Sequence, residues 1–181
     1  MKWYLAFLVI VASCSDGTNS ELRVIEGRYG ELAHITLVDG IRNGQAHLHD
    51  RSGSVERSGI YRKGVKEGIW TSKKDGRIQR SIEFKNGSFN GKTTSYDTLG
   101  SIDHQIEMVN GVREGTETYY YGDGSPKMMI EHRAGKRDGK FERWSRKNVG
   151  TEGDHEIGAF CKNQKCGTWT KFFPNGKKRW T

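Results

Sequence analysis

A glycine pair with three residues between its members recurs along this chain at nearly fixed intervals: Gly40/Gly44, Gly64/Gly68, Gly87/Gly91, Gly111/Gly115 and Gly135/Gly139. The first glycines step by 24, 23, 24 and 24 residues. A sixth copy is degenerate, with Asn163 and Gly167 in the two slots. A fixed period in this range marks a repeat protein, in which one supersecondary unit buries its apolar face against its neighbours.

Each unit carries a second turn signal eight or nine residues after its second glycine: Ser52-Gly53, Asp75-Gly76, Leu99-Gly100, Asp123-Gly124 and Asn175-Gly176. The fifth unit departs, with Asn148 and Gly150 and a longer stretch. Glycine accepts positive φ freely, and Asn and Asp tolerate it. Two turns per 24 residues leave two segments of strand length, too short for helices. The segment before each pair alternates. Five residues before the first slot stand Ile35, Gly59, Ile82, Ile106, Ile130 and Gly158. Three before stand Leu37, Tyr61, Phe84, Met108, His132 and Phe160, with Thr36, Ile60, Glu83, Glu107, Glu131 and Ala159 between the two columns. Period two with one apolar face is a half-buried strand, and the glutamates read as the solvated face. After the second glycine the chain is aromatic, at plus two (Trp70, Phe141, Trp169) and plus five (Tyr96, Tyr120, Trp144, Phe172). These offsets have opposite parity, so either a bulge intervenes or both faces are partly covered.

The expected fold is all-β: an elongated antiparallel meander of about six tandem 24-residue β-hairpin repeats over residues 39–181. Residues 22–38, with Tyr29-Gly30 in the second-turn slot, read as an N-terminal half-repeat acting as a cap. The hydrophobic fraction is 33%, thin for a two-layer core but adequate where neighbouring repeats share a narrow one. All twelve slot residues but Asn163 are glycines assigned to turns: Gly40, Gly44, Gly64, Gly68, Gly87, Gly91, Gly111, Gly115, Gly135, Gly139 and Gly167.

The N-terminus reads as a targeting segment. Lys2 precedes an apolar run from Trp3 to Ala12, too short to span a bilayer as a helix and of h-region length. Val11-Ala12-Ser13-Cys14 resembles a bacterial lipobox, which implies cleavage after residue 13 and a lipid on Cys14. Residues 14–21 then form a short polar tether. Ser15 after the cysteine suggests the outer membrane, so the expected location is the bacterial envelope, with acyl chains anchoring an otherwise soluble domain.

The units Gly64-x-x-x-Gly68-x-Trp70 with Asp75-Gly76, and Gly111-x-x-x-Gly115 through Tyr119-Tyr120-Tyr121-Gly122-Asp123-Gly124, resemble MORN repeats. More closely they resemble the bacterial variant in the family labelled YwqK antitoxins, over about residues 35–181. The resemblance implies a curved single-sheet array used for binding or spacing. An exported protein is out of reach of a cytosolic toxin, which sits badly with the family label.

Cys161 and Cys166 flank the turn Lys162-Asn163-Gln164-Lys165, and an oxidising envelope favours a disulfide between them. Free thiols and metal chemistry are the rival readings, and zinc would need a second cysteine pair that the chain lacks. His47-x-His49 places two imidazoles on one strand face, read as exposed polar residues and not as a metal pair. Neither nucleophile-elbow nor HExxH nor phosphate-loop spacing occurs, so no catalysis, metal or cofactor is expected. The net charge of +8 is spread along the chain, as a solvated surface or a membrane-facing one. Nucleic acid does not fit an envelope location. The expected function is a lipid-anchored scaffold that binds an envelope protein or an anionic envelope polymer. The alternative is an immunity or antitoxin protein facing a toxin in the envelope. The aromatics Trp70, Tyr96, Tyr120, Trp144, Trp169 and Phe172 are either its binding face or simply the repeat core.

Overall fold

A computed structural model describes residues 9–13, 19–26, 32–146 and 152–180. Cys14, Tyr29-Gly30, Asn148 and Gly150 lie outside them. The described residues form one open antiparallel sheet whose strands neighbour one another in chain order. The chain divides into two compact units, residues 1–89 and 90–181. The first holds β1 (Val9–Ser13), β2 (Asn19–Glu26), β3 (Leu32–Val38), β4 (Ile41–His49), β5 (Val55–Arg62), β6 (Val65–Lys74) and β7 (Arg77–Lys85), and β8 (Ser88–Tyr96) begins in it. The second continues with β9 (Ile102–Val109), β10 (Val112–Arg113), β11 (Gly115–Tyr120), β12 (Pro126–Arg133), β13 (Lys136–Arg146), β14 (Glu152–Cys161), β15 (Gln164–Phe172) and β16 (Lys178–Trp180).

Strands β1 and β2 fall within the stretches read as leader, tether and cap. Strand β2 starts at Asn19, so residues of the expected tether from Ser20 onward pair with β3, and residues 9–13 of the expected leader pair with β2. Ile25 packs against the first unit's core, which draws this segment into the sheet.

The first-slot turns have positive φ at both central residues, as in Lys63 (48°) and Gly64 (85°). That is the two-residue turn whose twist matches the flanking strands. In the degenerate sixth copy Lys162 and Asn163 adopt the same conformation, at 49° and 75°. Turns of successive hairpins are tied together. The Gly64 amide donates to the Arg42 carbonyl at 2.8 Å, Gly87 to Lys66 at 2.9 Å and Gly135 to Arg113 at 3.0 Å. The residue before the second glycine adds a side-chain acceptor, as where the Asn86 amide donates to Glu67 Oε2 at 2.9 Å.

The second glycines do not close turns. Gly44, Gly68, Gly91, Gly139 and Gly167 lie inside strands, and Gly115 opens one. The pairing register shifts opposite them, between Ile35 and Leu37, Ser58 and Ile60, Ile130 and His132, and Ile157 and Ala159. They are bulge glycines, with φ of 123° at Gly44 and 127° at Gly139. A Cβ on Gly139 would lie 2.9 Å from Cβ of Glu131, and one on Gly44 3.0 Å from Cβ of Thr36. The glutamate column therefore crosses over the bulges. Glu131 Oε2 accepts from the Lys140 amide at 2.9 Å.

One face of each unit carries its core. In the first unit this is Ile35, Leu37, Ala46, Trp70 and Phe84, and in the second Ile130, Phe141 and Phe160, with Trp169 against them. Two columns fill this face. The residue five before the first slot sits beside the residue two after the second: Ile35 opposite Ala46, and Ile130 opposite Phe141. Where the first column holds glycine, the second holds tryptophan. A Cβ on Gly59 would collide with the Trp70 indole, and one on Gly158 with that of Trp169. Cations cover the rings: Lys66 Nζ lies 4.3 Å from the Trp70 ring centre, and Lys165 Nζ lies 3.8 Å from that of Trp169. Their aliphatic stems shield a face that has no second layer among the described residues. Burial and the nearby Arg57 charge push the Lys66 ammonium below its ordinary range.

Candidate functional site

The aromatic column divides between two faces. Trp70 is core in the first unit, and Trp169 packs on the core of the second. On β13, Phe141 and Trp144 are three residues apart and point to opposite faces. Register shifts between Ser95 and Tyr96, and between Tyr119 and Tyr120, mark a second bulge at plus five. Pairing runs unbroken from Phe141 to Trp144, so coverage of both faces answers the parity question. Tyr120 donates from its hydroxyl to Gln105 Oε1 at 3.2 Å. Tyr96 is half-buried.

Trp144, His155 and Phe172 occupy directly opposed positions on β13, β14 and β15. Their rings stack in series: Trp144 and His155 centres are 5.2 Å apart with planes 9° apart, and His155 and Phe172 centres are 5.8 Å apart at 27°. This stack lines an open groove of about 740 Å³. Tyr121 and Arg146 also line it, as do Phe173 and Pro174. Such a groove, mostly apolar with a few placed polar groups, has the character of a ligand site.

Its polar groups are held in position. His155 Nε2 lies 2.9 Å from Glu142 Oε1, and Lys140 Nζ lies 3.3 Å from Glu142 Oε2. Arg146 engages both oxygens of Asp123, at 2.8 and 3.3 Å, and also bonds Ser125 Oγ. The guanidinium lies 4.0 Å from the Tyr121 ring centre, and the Tyr121 hydroxyl donates to the Trp144 carbonyl at 2.6 Å. The Arg146 bond, with two more from Ser125, holds the Asp123 carboxyl well below the usual carboxylate range.

A second constellation lies on the core face of the same unit. Glu117, 3% exposed, has His104 Nε2 at 2.8 Å and accepts from the Tyr119 hydroxyl at 3.2 Å, both on Oε1. His132 Nε2 is 3.4 Å and Arg113 3.6 Å from Oε2. Burial and the Glu117 charge raise the Tyr119 phenol. With Glu117 and His132 both buried, the cluster fills core volume.

Cys161 and Cys166 are joined as a disulfide with Cα atoms 5.8 Å apart. They do not oppose each other directly: Cys161 pairs with Gln164, and Cys166 with Ala159. The bridge runs diagonally across the hairpin, next to the bulge that Gly167 creates. The proposed lipid site, Cys14, lies outside the described residues.

His155, Glu142, Tyr121 and Arg146 were not signalled by sequence. His155 stands eight residues before Asn163, a position that other units fill with Leu32, Glu56, Gln79, Asp103 and Lys127, so its column carries no common chemistry. Glu117 and His132 did leave a signal: each is the ionisable exception in a column otherwise free of ionisable core residues other than Tyr61, and they are partners. No protein-family profile matches this sequence, and no curated protein matches it either.

Proposed function

We propose that this chain is a lipid-anchored binding module of the bacterial envelope, which holds an envelope protein or an anionic envelope polymer in the groove of its second unit. The groove with its stacked Trp144, His155 and Phe172 carries this reading. Large aromatics that lie on the face away from the core contribute little to folding and much to contact area. The groove's cations are paired, Lys140 with Glu142 and Arg146 with Asp123, so the stacked rings are the contact surface of this reading. The MORN-like turns and aromatics, together with the lipobox at Cys14, support a membrane-tethered binding role. Cleavage before Cys14 would remove β1 and leave β2 as the edge strand.

In-cell photocrosslinking tests the assignment. A photoreactive residue at Phe173, beside the groove, should yield a defined adduct that Trp144→Ala and Phe172→Ala abolish. The same probe at exposed Leu99 should yield none. Equal adducts from both positions, or none from Phe173, would remove the groove as the binding site.

A further inference from the structure

We propose that His34, His47 and His49 bind one divalent transition ion of borderline softness, such as Zn²⁺, Ni²⁺ or Cu²⁺, on the face of the first unit opposite its apolar core. His34 on β3 is the direct partner of His47 on β4, and His49 follows two residues later on the same side of the strand. The His34 and His49 ring centres are 4.5 Å apart with planes at 47°. That separation suits two imidazoles sharing an ion at nitrogen–metal distances of about 2.0–2.1 Å.

The deciding observation is at His49. Its Nδ1 lies 3.0 Å from the Gly53 carbonyl, which can only accept, so Nδ1 carries the proton and the lone pair resides on Nε2. Nε2 is buried and has no hydrogen-bond partner. A solvated strand histidine keeps such a lone pair in water, and buried polar atoms are almost always paired. A metal-bound histidine has this arrangement: one ring nitrogen fixed by a backbone carbonyl, the other aimed at the ion. The positions paired directly with the three histidines from the flanking strands carry no carboxylate. Val24 on β2 opposes His34, Val55 and Ser58 on β5 oppose His49 and His47, and Asp50 is committed to Ser52 and Ser54. An all-imidazole donor set selects zinc, nickel and copper over calcium and magnesium.

As the side chains stand, no three donors among the described residues converge on one point. His34 and His49 are already adjacent. His47 completes the set by rotating from a long contact with Gln45 Oε1, at 3.4 Å. Ion binding therefore reorients one side chain and leaves the strands in place.

The untagged full-length chain, titrated with each ion alone, should bind one equivalent. Histidine ¹⁵N resonances in the wild type should shift for residues 34, 47 and 49 on adding Zn²⁺, and those of His104, His132 and His155 should stay. Loss of an outer-shell partner alone costs about 10–100-fold, so His49→Asn should weaken binding by at least that much, and His104→Asn should leave it unchanged. Shifts confined to the other histidines, or unaltered affinity in His34→Asn and His49→Asn, would overturn the proposal. The wild-type spectra decide the matter if either variant fails to fold.

Discussion

The smallest features that carry this fold are pairs of single residues. Trp70 lies on Gly59 and Trp169 on Gly158 because only a missing Cβ leaves room for an indole there. Gly59→Ala should destabilise by about 1–3 kcal/mol, since the indole or the strand must shift. Gly59→Ile combined with Trp70→Ala recreates the Ile35–Ala46 pairing of the neighbouring repeat, and should recover most of the loss in a denaturant melt. Equal losses from the single and the double variant would refute size complementarity. Glu117 makes a second case. Glu117→Leu takes the acceptor away from buried His132 and should cost about 1–3 kcal/mol. Adding His132→Leu should restore part of it, a coupling that a double-mutant cycle measures directly.

At the scale of elements, the period, the strand pairs and the core columns were legible in the sequence. Turn glycines with positive φ and apolar alternation both leave residue-level marks. Two things were not. Spacing identifies Gly44, Gly68 and Gly139 as positions that need glycine, but a bulge and a turn make the same demand. The groove depends on Trp144, His155 and Phe172 coming level across three strands. The longer fifth unit changes the spacing between Trp144 and His155, so their alignment is visible only in the paired sheet. The hairpin of β14 and β15 also shows how a lost glycine is accommodated. Asn163 supplies the left-handed backbone, and the Cys161–Cys166 bridge closes the turn. Closing so short a loop is worth about 2 kcal/mol in the chain-entropy view. Cys161→Ser with Cys166→Ser should lower the melting temperature modestly and keep the β signal. An unchanged melt would show that the bridge adds no stability.

For the whole molecule, the basic excess has a structural use that charge counting did not reveal. Lys66, Arg137 and Lys165 lie over core rings, so part of the positive charge covers an otherwise open apolar face. Membrane attachment belongs to Cys14 in the proposed reading. Cys14→Ala should abolish fatty-acid labelling and leave uncleaved precursor, and equal labelling of the variant would exclude lipidation there. The division of tryptophans between faces then separates folding from binding. Trp169 packs on the second unit's core and Trp144 lines the groove of the same unit. The most direct measurement is partner capture at Phe173 alongside thermal melting, for Trp169→Ala and Trp144→Ala in parallel. Trp169→Ala should lose about 3–5 kcal/mol of stability. Trp144→Ala should melt near wild type and lose capture. A Trp144→Ala protein that folds normally and captures its partner as wild type does would contradict the assignment of the groove as the binding site.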